Sequence, residues 1–364
     1  MIAPFQGKAW PLLIGSLPLT DAAQAAALVW EYTPEIPLWV QLPKLPGENI
    51  IDQFAPGLPG LQHEGGRTWV DTASAEFEES LLRFYELRLA MPEGQRPLEQ
   101  LPFALNPESA RGFFELIQQV QARAKLPLAL KGQIVGPLTF GTTLRDQVGK
   151  AIFYDPQLRD AAVNLLALRA RWQVRRLAAL GPKAILFIDD PALAGFGSSM
   201  CITITREEVV HALGEIIDAV HAEGGLAGVH VCANADWTLI LDSAADILSF
   251  DAYAYFDQFI IYREAIRRFL GRGGVIAWGL VPTLSVEDIE RETNETLFAQ
   301  WRSKSTLVTA LGVDRKALIA QSLITPACGM GTLSMDHTLK ALQLTRELSN
   351  RIRNDSETKR PGTR

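Results

Sequence analysis

The feature that most constrains this chain is a repeated alternation of short apolar segments with longer amphipathic ones. Eight apolar segments that end in small, polar or proline residues have the composition of buried β-strands: Pro11–Pro18, Leu38–Pro43, Leu128–Pro137, Ala184–Pro191, Leu226–Asn234, Ile247–Tyr253, Val275–Pro282 and Ser322–Gly331. Helical patterns lie between nearly all of them, at Ala75–Met91, Pro107–Lys125, Pro156–Leu180, Thr205–Glu223, Asp257–Leu270 and Ser285–Arg302. Continuous apolar strands separated by helices are typical of a parallel sheet that is covered on its faces. Eight such units predict an α/β fold, a (β/α)8 TIM barrel.

A doubly wound open sheet is the alternative α/β architecture. Its nucleotide-binding forms carry a glycine-rich phosphate loop after the first strand, whereas the sequence at 14–20 is IGSLPLT, which matches neither GxGxxG nor GxxxxGK[ST]. The barrel is therefore favoured. The segment Lys44–Ser74 is too long for a plain strand-to-helix connection and predicts an elaborated loop region after strand two, over the barrel mouth. We expect residues 1–353 to form a single barrel and the polar residues 354–364 to form a disordered tail.

Composition narrows the classes of function. Lys and Arg total 35 against 41 Asp and Glu, which gives a net charge of −6, and no basic block is present. This balance argues against nucleic acid or an anionic membrane as a partner. We find neither an apolar run of about 18 residues nor a charged region before an apolar stretch at the start, and we expect a cytoplasmic protein without a membrane span or signal peptide. Three cysteines do not make a disulfide framework in a chain of 364 residues.

Polar side chains collect at the carboxyl ends of the predicted strands, where barrel enzymes place their active sites. Strand five ends in HVC (230–232), strand six in FD (250–251) and strand eight in PAC (326–328). Because side chains alternate along a strand, the histidine and cysteine of HVC face the same way. Imidazole, thiolate and carboxylate are the ligands that tetrahedral Zn²⁺ takes. The candidate zinc ligands are His230, Cys232, Asp251 and Cys328; the alternative is that the cysteines are small buried hydrophobes.

A second group of polar residues could hold a small substrate. Strand four ends in Asp189 and Asp190, which point to opposite faces, so at most one of them enters the barrel mouth. A carboxylate there either binds a substrate ammonium group or caps a loop, and the local sequence leaves both open. Gly15 and Ser16 end strand one, where the hydroxyl group and backbone N–H groups could bind a small carboxylate. Cys201 lies outside both groups and is expected to pack in the core.

Six segments together resemble the C-terminal catalytic barrel of cobalamin-independent methionine synthase, within the uroporphyrinogen decarboxylase-like barrels. They are IGSLPLT at 14–20, GPLT at 136–139, IDDPAL at 188–193, HVC at 230–232, AADILSFD at 244–251 and PACGMGT at 326–332. The resemblance implies a zinc-dependent methyltransferase that moves a methyl group to the thiol of homocysteine and forms methionine. It places the zinc ligands at His230, Cys232 and Cys328, with Asp251 at the position of a family glutamate. It places the amino-acid-binding residues at Ser16 and Asp189.

The chain departs from this family pattern around the methyl donor. The long form of the family has two barrels and this chain has one. The family tryptophan shortly after GPLT has no counterpart in residues 140–143, and WGLVPT at 278–283 lacks the family histidine that is the expected proton donor to the pterin. A family carboxylate after strand two is out of register, where Glu48 or Glu64 could substitute. The amine of methyl-folate must be protonated before it leaves, whereas a methylcorrinoid leaves as Co(I) without an acid. We therefore expect methylcobalamin or a corrinoid protein as the donor, in preference to methyl-folate.

Three other functions remain open. A corrinoid-linked methyltransferase could act on another thiol such as coenzyme M, which offers no ammonium group to Asp189. A porphyrinogen decarboxylase uses no metal and requires a basic mouth, whereas no arginine ends any predicted strand. A non-enzymatic module could bind a thiol or a corrinoid through zinc.

Overall fold

The computed structural model describes residues 5–89, 103–198, 201 and 203–358. Its strands are β1 (Trp10–Pro11), β2 (Leu61–Glu64), β3 (Arg67–Val70), β4 (Ala129–Val135), β5 (Lys183–Asp189), β6 (Leu226–Val231), β7 (Ile247–Phe250), β8 (Val275–Val281) and β9 (Ser322–Pro326). Seven of them form one curled parallel sheet in the order β1-β9-β8-β7-β6-β5-β4. The other two, β2 and β3, form an antiparallel hairpin. The α/β class predicted from the alternating pattern is confirmed.

The predicted second strand lies between the two edges of this sheet. Leu38 bridges Lys131 of β4, and Gln41 bridges Ser16 shortly after β1, both in parallel orientation. The N–H of Gln41 also donates to the carbonyl oxygen of Gly15 at 3.0 Å. These contacts are isolated bridges rather than a continuous ladder, because prolines at both ends of the segment have no N–H to donate.

Helices occupy most of the chain between the strands. They are α1 (Ala22–Tyr32), α2 (Phe77–Leu89), α3 (Arg111–Gln121), α4 (Pro137–Thr143), α5 (Pro156–Ala178), α6 (Arg206–Ala222), α7 (Thr238–Leu241), α8 (Phe256–Phe259), α9 (Arg263–Gly271), α10 (Val286–Arg291), α11 (Asn294–Thr309), α12 (Arg315–Ala320) and α13 (Met335–Thr358). Short 3-10 turns lie at Ile152–Tyr154 and Pro191–Gly195. No helix in the described part of the chain is both long and apolar enough to cross a bilayer.

Helix boundaries agree with the sequence where capping residues set them. Thr205 Oγ1 accepts the Glu208 N–H at 3.2 Å and the Glu208 carboxylate accepts the Thr205 N–H at 2.9 Å, which forms the predicted capping box at the start of α6. The prediction of one helix over 285–302 is wrong, because Thr293 begins a new capping box and separates α10 from α11. The pattern at 257–270 is likewise divided between α8 and α9.

Burial leaves polar side chains at one end of the sheet. Strands β4, β8 and β9 are buried along their whole length, as a sheet covered on both faces requires. An apolar cluster that includes Leu12, Ile185, Phe187 and Leu323 fills the curled sheet toward the starts of its strands. The carboxyl ends of the strands are therefore the place where polar groups can collect.

The two segments predicted to be irregular have structure in part. Lys44–Ser74 contains the β2–β3 hairpin and contributes Glu48, Asn49 and Ile50 to the wall of a cavity described below. Residues 354–358 were predicted to belong to a disordered tail, but α13 includes them, and Asp355 pairs with Arg315 at 2.7 Å. The rest of the predicted tail lies outside the described residues.

Candidate metal centre

Three side chains that could hold a metal ion meet at the carboxyl end of the sheet. His230 lies near the end of β6, Cys232 directly follows that strand, and Cys328 follows β9 by two residues. One ligand atom of each, an imidazole nitrogen and two sulfurs, lies within 4.8 Å of the other two. His230 is buried, and both cysteines are partly exposed. Side-chain alternation places the histidine and the first cysteine on one face, and the curl of the sheet brings the second cysteine to them.

The imidazole of His230 is oriented by a buried serine. Its Nδ1 lies 2.9 Å from the Oγ of Ser249, which is fully buried on the neighbouring strand β7. Its Nε2 is buried and has no hydrogen-bond partner among the described residues. A buried polar atom without a partner is rare in folded proteins. The ring therefore presents one unengaged nitrogen, which is the arrangement of a histidine that binds a metal through Nε2.

The sulfur atoms of the two cysteines lie within 4.8 Å of each other. The neighbouring Cys328 thiol stabilises the thiolate of Cys232 and lowers the pKa of Cys232. The nearby Cys232 sulfur and burial together raise the pKa of Cys328 above its ordinary value. Thr283, after β8, supports the backbone here: its Oγ1 accepts the Cys328 N–H at 3.0 Å.

Asp251 lies close to these three residues but does not join them. Its carboxylate accepts the Ala254 N–H at 2.9 Å and so caps the turn after β7. Burial raises the pKa of Asp251 to about 6, against the effect of hydrogen bonds from the backbone N–H groups of Ala254 and Tyr253. Of the four predicted ligands, the described structure thus groups three within 4.8 Å and leaves the aspartate outside.

The adjacent carboxylates Asp189 and Asp190 have different surroundings. Asp190 accepts the N–H of Leu138 at 3.1 Å, the N–H of Thr139 at 2.7 Å and the hydroxyl of Thr139 at 2.5 Å, so it fixes the start of α4. Asp189 lines the cavity beside the metal-binding residues, and its Oδ1 is buried without a partner in the described structure. Burial raises the pKa of Asp189 to about 6, and the charge of Lys131 opposes this.

A cavity of about 400 Å³ joins Asp189 to the metal-binding residues. Gly15 and Ser16 form part of its wall, and Pro43, Ile50 and Leu284 contribute apolar surface. The predicted substrate residues at the ends of strands one and four therefore face the same space as the predicted zinc ligands.

Close contacts around Ser16 fix that side of the cavity. Its Oγ accepts the Gly331 N–H at 3.2 Å, and the Met330 N–H donates to its carbonyl oxygen at 2.9 Å. A Cβ atom at Gly329 would lie 2.3 Å from the Ser16 Oγ, so any larger residue there would displace the serine hydroxyl. The segment after Cys328 is thus held against the segment after β1.

The two loop carboxylates of the sequence prediction lie in different places. Glu48 lines the cavity, but its carboxylate accepts the Leu42 N–H at 3.1 Å and pairs with Arg111 at 2.9 Å. Glu64 is exposed on β2, and it is not among the described residues that line the cavity. Cys201 lies in the hydrophobic core, as predicted.

Three residues of the site escaped the sequence analysis: Lys131, Ser249 and Thr283. Lys131 is fully buried on β4, and its charge within an apolar strand pattern was a usable signal. Ser249 and Thr283 are small polar residues in or beside apolar strands, and nothing local distinguishes them from residues that only pack.

The donor set fits zinc. Bond lengths of about 2.3 Å to sulfur and about 2.1 Å to nitrogen place tetrahedral donors roughly 3.6 to 3.8 Å apart. The three ligand atoms lie within 4.8 Å of one another, so small side-chain movements would bring them to that spacing. Nitrogen and sulfur donors with one unengaged imidazole nitrogen favour zinc over magnesium or calcium, which take oxygen ligands. The fold and these residues define an α/β protein with a candidate thiolate-rich metal centre.

Comparison with known proteins assigns no family. No model of a protein family matches the sequence, and no curated protein does. Among solved structures, a B12-independent methionine synthase from Shewanella sp. W3-18-1, in complex with selenomethionine, is 17% identical over 67% of this chain and 68% of that chain, with a TM-score of 0.47. A pneumococcal exo-β-D-N-acetylglucosaminidase (9% identity, 94% and 85% covered, TM-score 0.45) and a Bacteroidetes-affiliated cellulase (13%, 92% and 94%, TM-score 0.44) are similar to a comparable degree. Similarities of this size assign no function, so the proposal below depends on the residues of the site.

Proposed function

We propose that this protein is a zinc-dependent methyltransferase that methylates the thiol of homocysteine to give methionine. The observation that carries the proposal is the meeting of His230, Cys232 and Cys328 in one cavity with a buried, unpartnered carboxylate oxygen of Asp189. The first three residues suit a metal that binds sulfur, and the fourth suits an ammonium group. An amino acid with a thiol at its far end carries both features.

The protein groups divide the work around the acceptor. His230, Cys232 and Cys328 would hold the zinc, with Asp251 as the proposed fourth ligand. When bound there, zinc supplies the positive charge that favours the deprotonated, nucleophilic form of a thiol at neutral pH. Ser249 keeps the imidazole ring in place through its Nδ1, so that Nε2 remains the ligand atom.

Asp189 and Ser16 would bind the two charged groups of the amino acid. The free Oδ1 of Asp189 accepts the ammonium group. The Ser16 Oγ accepts the Gly331 N–H, which leaves its own proton to donate to the substrate carboxylate, beside the backbone of Gly15. These two contacts would fix the sulfur at the metal end of the cavity and turn it toward the donor.

We propose methylcobalamin or a methylcorrinoid protein as the donor, with methyl-folate as the alternative. Pro43, Ile50 and Leu284 give the mouth of the cavity an apolar rim, and Leu284 is 62% exposed. An apolar rim suits the broad face of a corrin ring. The methyl group leaves cobalt without protonation of the leaving group, so this transfer requires no general acid from the protein.

Two structural proposals accompany this function. The parallel bridges at Leu38 and Gln41 support a sheet that closes into an eight-stranded barrel, with the predicted second strand between β1 and β4. The two free cysteines of the site support a location in a reducing compartment such as the cytoplasm.

The test is metal analysis of the purified protein followed by methionine formation with each donor. We expect about one zinc per chain, and methionine from homocysteine and methylcobalamin. If the protein turns over methyl-folate but not methylcobalamin, the proposed donor is wrong. If it methylates coenzyme M but not homocysteine, the proposed acceptor is wrong. Tight binding of zinc and thiol without turnover under any donor would show a binding module.

A further inference from the structure

Lys131 is a buried cation that is hydrogen-bonded to Ile14, a residue of the wall of the proposed acceptor cavity. It is fully buried on β4, its Nζ donates to the carbonyl oxygen of Ile14 and lies 3.4 Å from Gln133 Oε1, and Nζ is 4.4 Å from the centre of the Phe187 ring. It forms no ion pair within 4.0 Å in the described structure. A buried ammonium ion without a direct counter-ion is costly, so an apolar residue of similar length would fill this space at lower cost.

The ammonium group of Lys131 interacts with two parts of the cavity wall. On one side, Ile14 directly precedes Gly15 and Ser16, and Gln133 lies against them: its Cδ is 3.5 Å from the position that a Gly15 Cβ would take. On the other side, the ring of Phe187 on β5 lies 4.4 Å from Nζ, and Asp189 follows two residues later on the same face of that strand. The charge of Asp189 acts on Lys131. Lys131 thus holds one wall by a hydrogen bond and is attracted to the other by charge.

The charge of Lys131 complements Asp189 without engaging its unpartnered oxygen. Asp189 Oδ1 keeps no hydrogen-bond partner among the described residues, although a cation lies nearby in the same interior. A lysine in direct contact would occupy that oxygen and compete with a ligand. Without a direct contact, the charge of Lys131 offsets part of the cost of the buried carboxylate and leaves the oxygen available.

We infer that Lys131 is a positioning residue that holds the Gly15–Ser16 wall and Asp189 at the spacing of an α-amino acid. The inference rests on the proposed function, because it assigns those two walls to the carboxylate and the ammonium group of the acceptor. Lys131 touches neither group itself. It acts through Ile14 and through the charge of Asp189.

The test compares two thiols on Co²⁺-loaded protein, in which thiol binding changes the visible absorption. Homocysteine carries the amino-acid groups, and propanethiol carries only the sulfur. Lys131→Met keeps the length of the side chain and removes its charge and its hydrogen bonds. We expect it to weaken homocysteine binding about tenfold or more and to leave propanethiol binding and metal content unchanged. In turnover, KM for homocysteine rises while kcat changes little.

Arg272→Met is the matched control. Arg272 also donates to backbone carbonyl oxygens, at Leu241, Ser243 and Ala245, but it lies next to the start of β7, at the far end of the strands from the cavity. We expect this variant to lose stability and to keep the full preference for homocysteine. Lys131→Gln retains a donor without the charge and serves if Lys131→Met does not fold.

The outcomes separate the inference from the proposed function. If the wild-type protein binds both thiols equally, the proposed amino-acid acceptor is wrong. If the wild type prefers homocysteine and the Lys131 variants keep the same preference, Lys131 has no positioning role. The same conclusion follows if the variants lose affinity for both thiols to the same extent.

Discussion

Asp189 of β5 and His230 of β6 occupy paired positions in the parallel ladder, and the N–H of Asp190 donates to the His230 carbonyl oxygen at 3.0 Å. Their separation is therefore set by the hydrogen bonds of the sheet and not by a loop. In the proposed reaction, the carboxylate holds the ammonium end of the acceptor and the imidazole helps to hold the sulfur end. The register would then select acceptors by the length of the carbon chain between nitrogen and sulfur.

Replacing either metal-centre cysteine should remove the metal. Cys232→Ser and Cys328→Ser each leave one sulfur and one nitrogen donor, so we expect most of the zinc to be lost on dialysis against a weak chelator, together with methyl transfer. Cys201→Ser changes a cysteine of the core and should retain its zinc. Elemental analysis after dialysis measures the difference. Stoichiometric zinc in Cys232→Ser would contradict the assignment.

Ser249 should affect metal affinity without contacting the metal. Ser249→Ala removes the hydrogen-bond partner of the His230 Nδ1, so the imidazole ring is no longer held in one orientation. Loss of such a partner typically costs about 10- to 100-fold in metal affinity. Ser322→Ala is the control, since Ser322 is equally buried but bonds to Leu318 and Trp278. Competition with a zinc indicator gives both affinities. Equal affinities in the two variants would show that the serine does not orient the ring.

Substitutions of the two adjacent aspartates should have different effects, one on substrate binding and the other on stability. Asp189→Asn removes a buried charge that has an unpartnered oxygen, so we expect a higher KM for homocysteine without a lower free energy of unfolding. Asp190→Asn disrupts three hydrogen bonds at the start of α4 and should lower the free energy of unfolding by about 1 to 3 kcal/mol. Urea denaturation and steady-state kinetics measure the two effects. A lower free energy of unfolding with an unchanged KM in Asp189→Asn would exclude Asp189 as the ammonium-binding group.

Acceptor binding should depend on pH through Asp189. Burial raises the pKa of this carboxyl group to about 6, and only its ionised form pairs with an ammonium group. The ratio of homocysteine affinity to propanethiol affinity should therefore fall about tenfold per pH unit below that pKa, and level off above it. The ratio removes the effect of pH on the metal and on the thiols. It should be flat in Asp189→Asn, and a flat ratio in the wild type would refute the expectation.

Local sequence predicted the parts of this molecule that depend on short-range patterns. The alternation of apolar strands and helices predicted the α/β class, and Thr205 with Glu208 predicted the start of α6. The placement of HVC and PAC at strand ends predicted which residues approach one another, because carboxyl ends of parallel strands lie on one edge of a sheet. These inferences require only the periods of the secondary structures.

The remainder depends on partners that are distant in sequence. Lys131 meets the Ile14 carbonyl 117 positions away, and Thr283 meets Cys328 45 positions away. Asp251 caps its own turn instead of joining the metal-binding group, a choice between two nearby partners that depends on side-chain geometry. No pattern within a single strand or helix encodes these contacts.

The hydrogen bond from the Gly331 N–H to Ser16 Oγ joins residues 315 positions apart. During synthesis, the amino-terminal strand is therefore made long before its neighbour β9, and Cys328 arrives with that late strand. A metal ion held by these residues would not find its complete set of protein donors until both parts of the chain have met, because metal binding is coupled to the folded arrangement. Metal content in a fresh preparation would then measure the fraction of chains that finished folding.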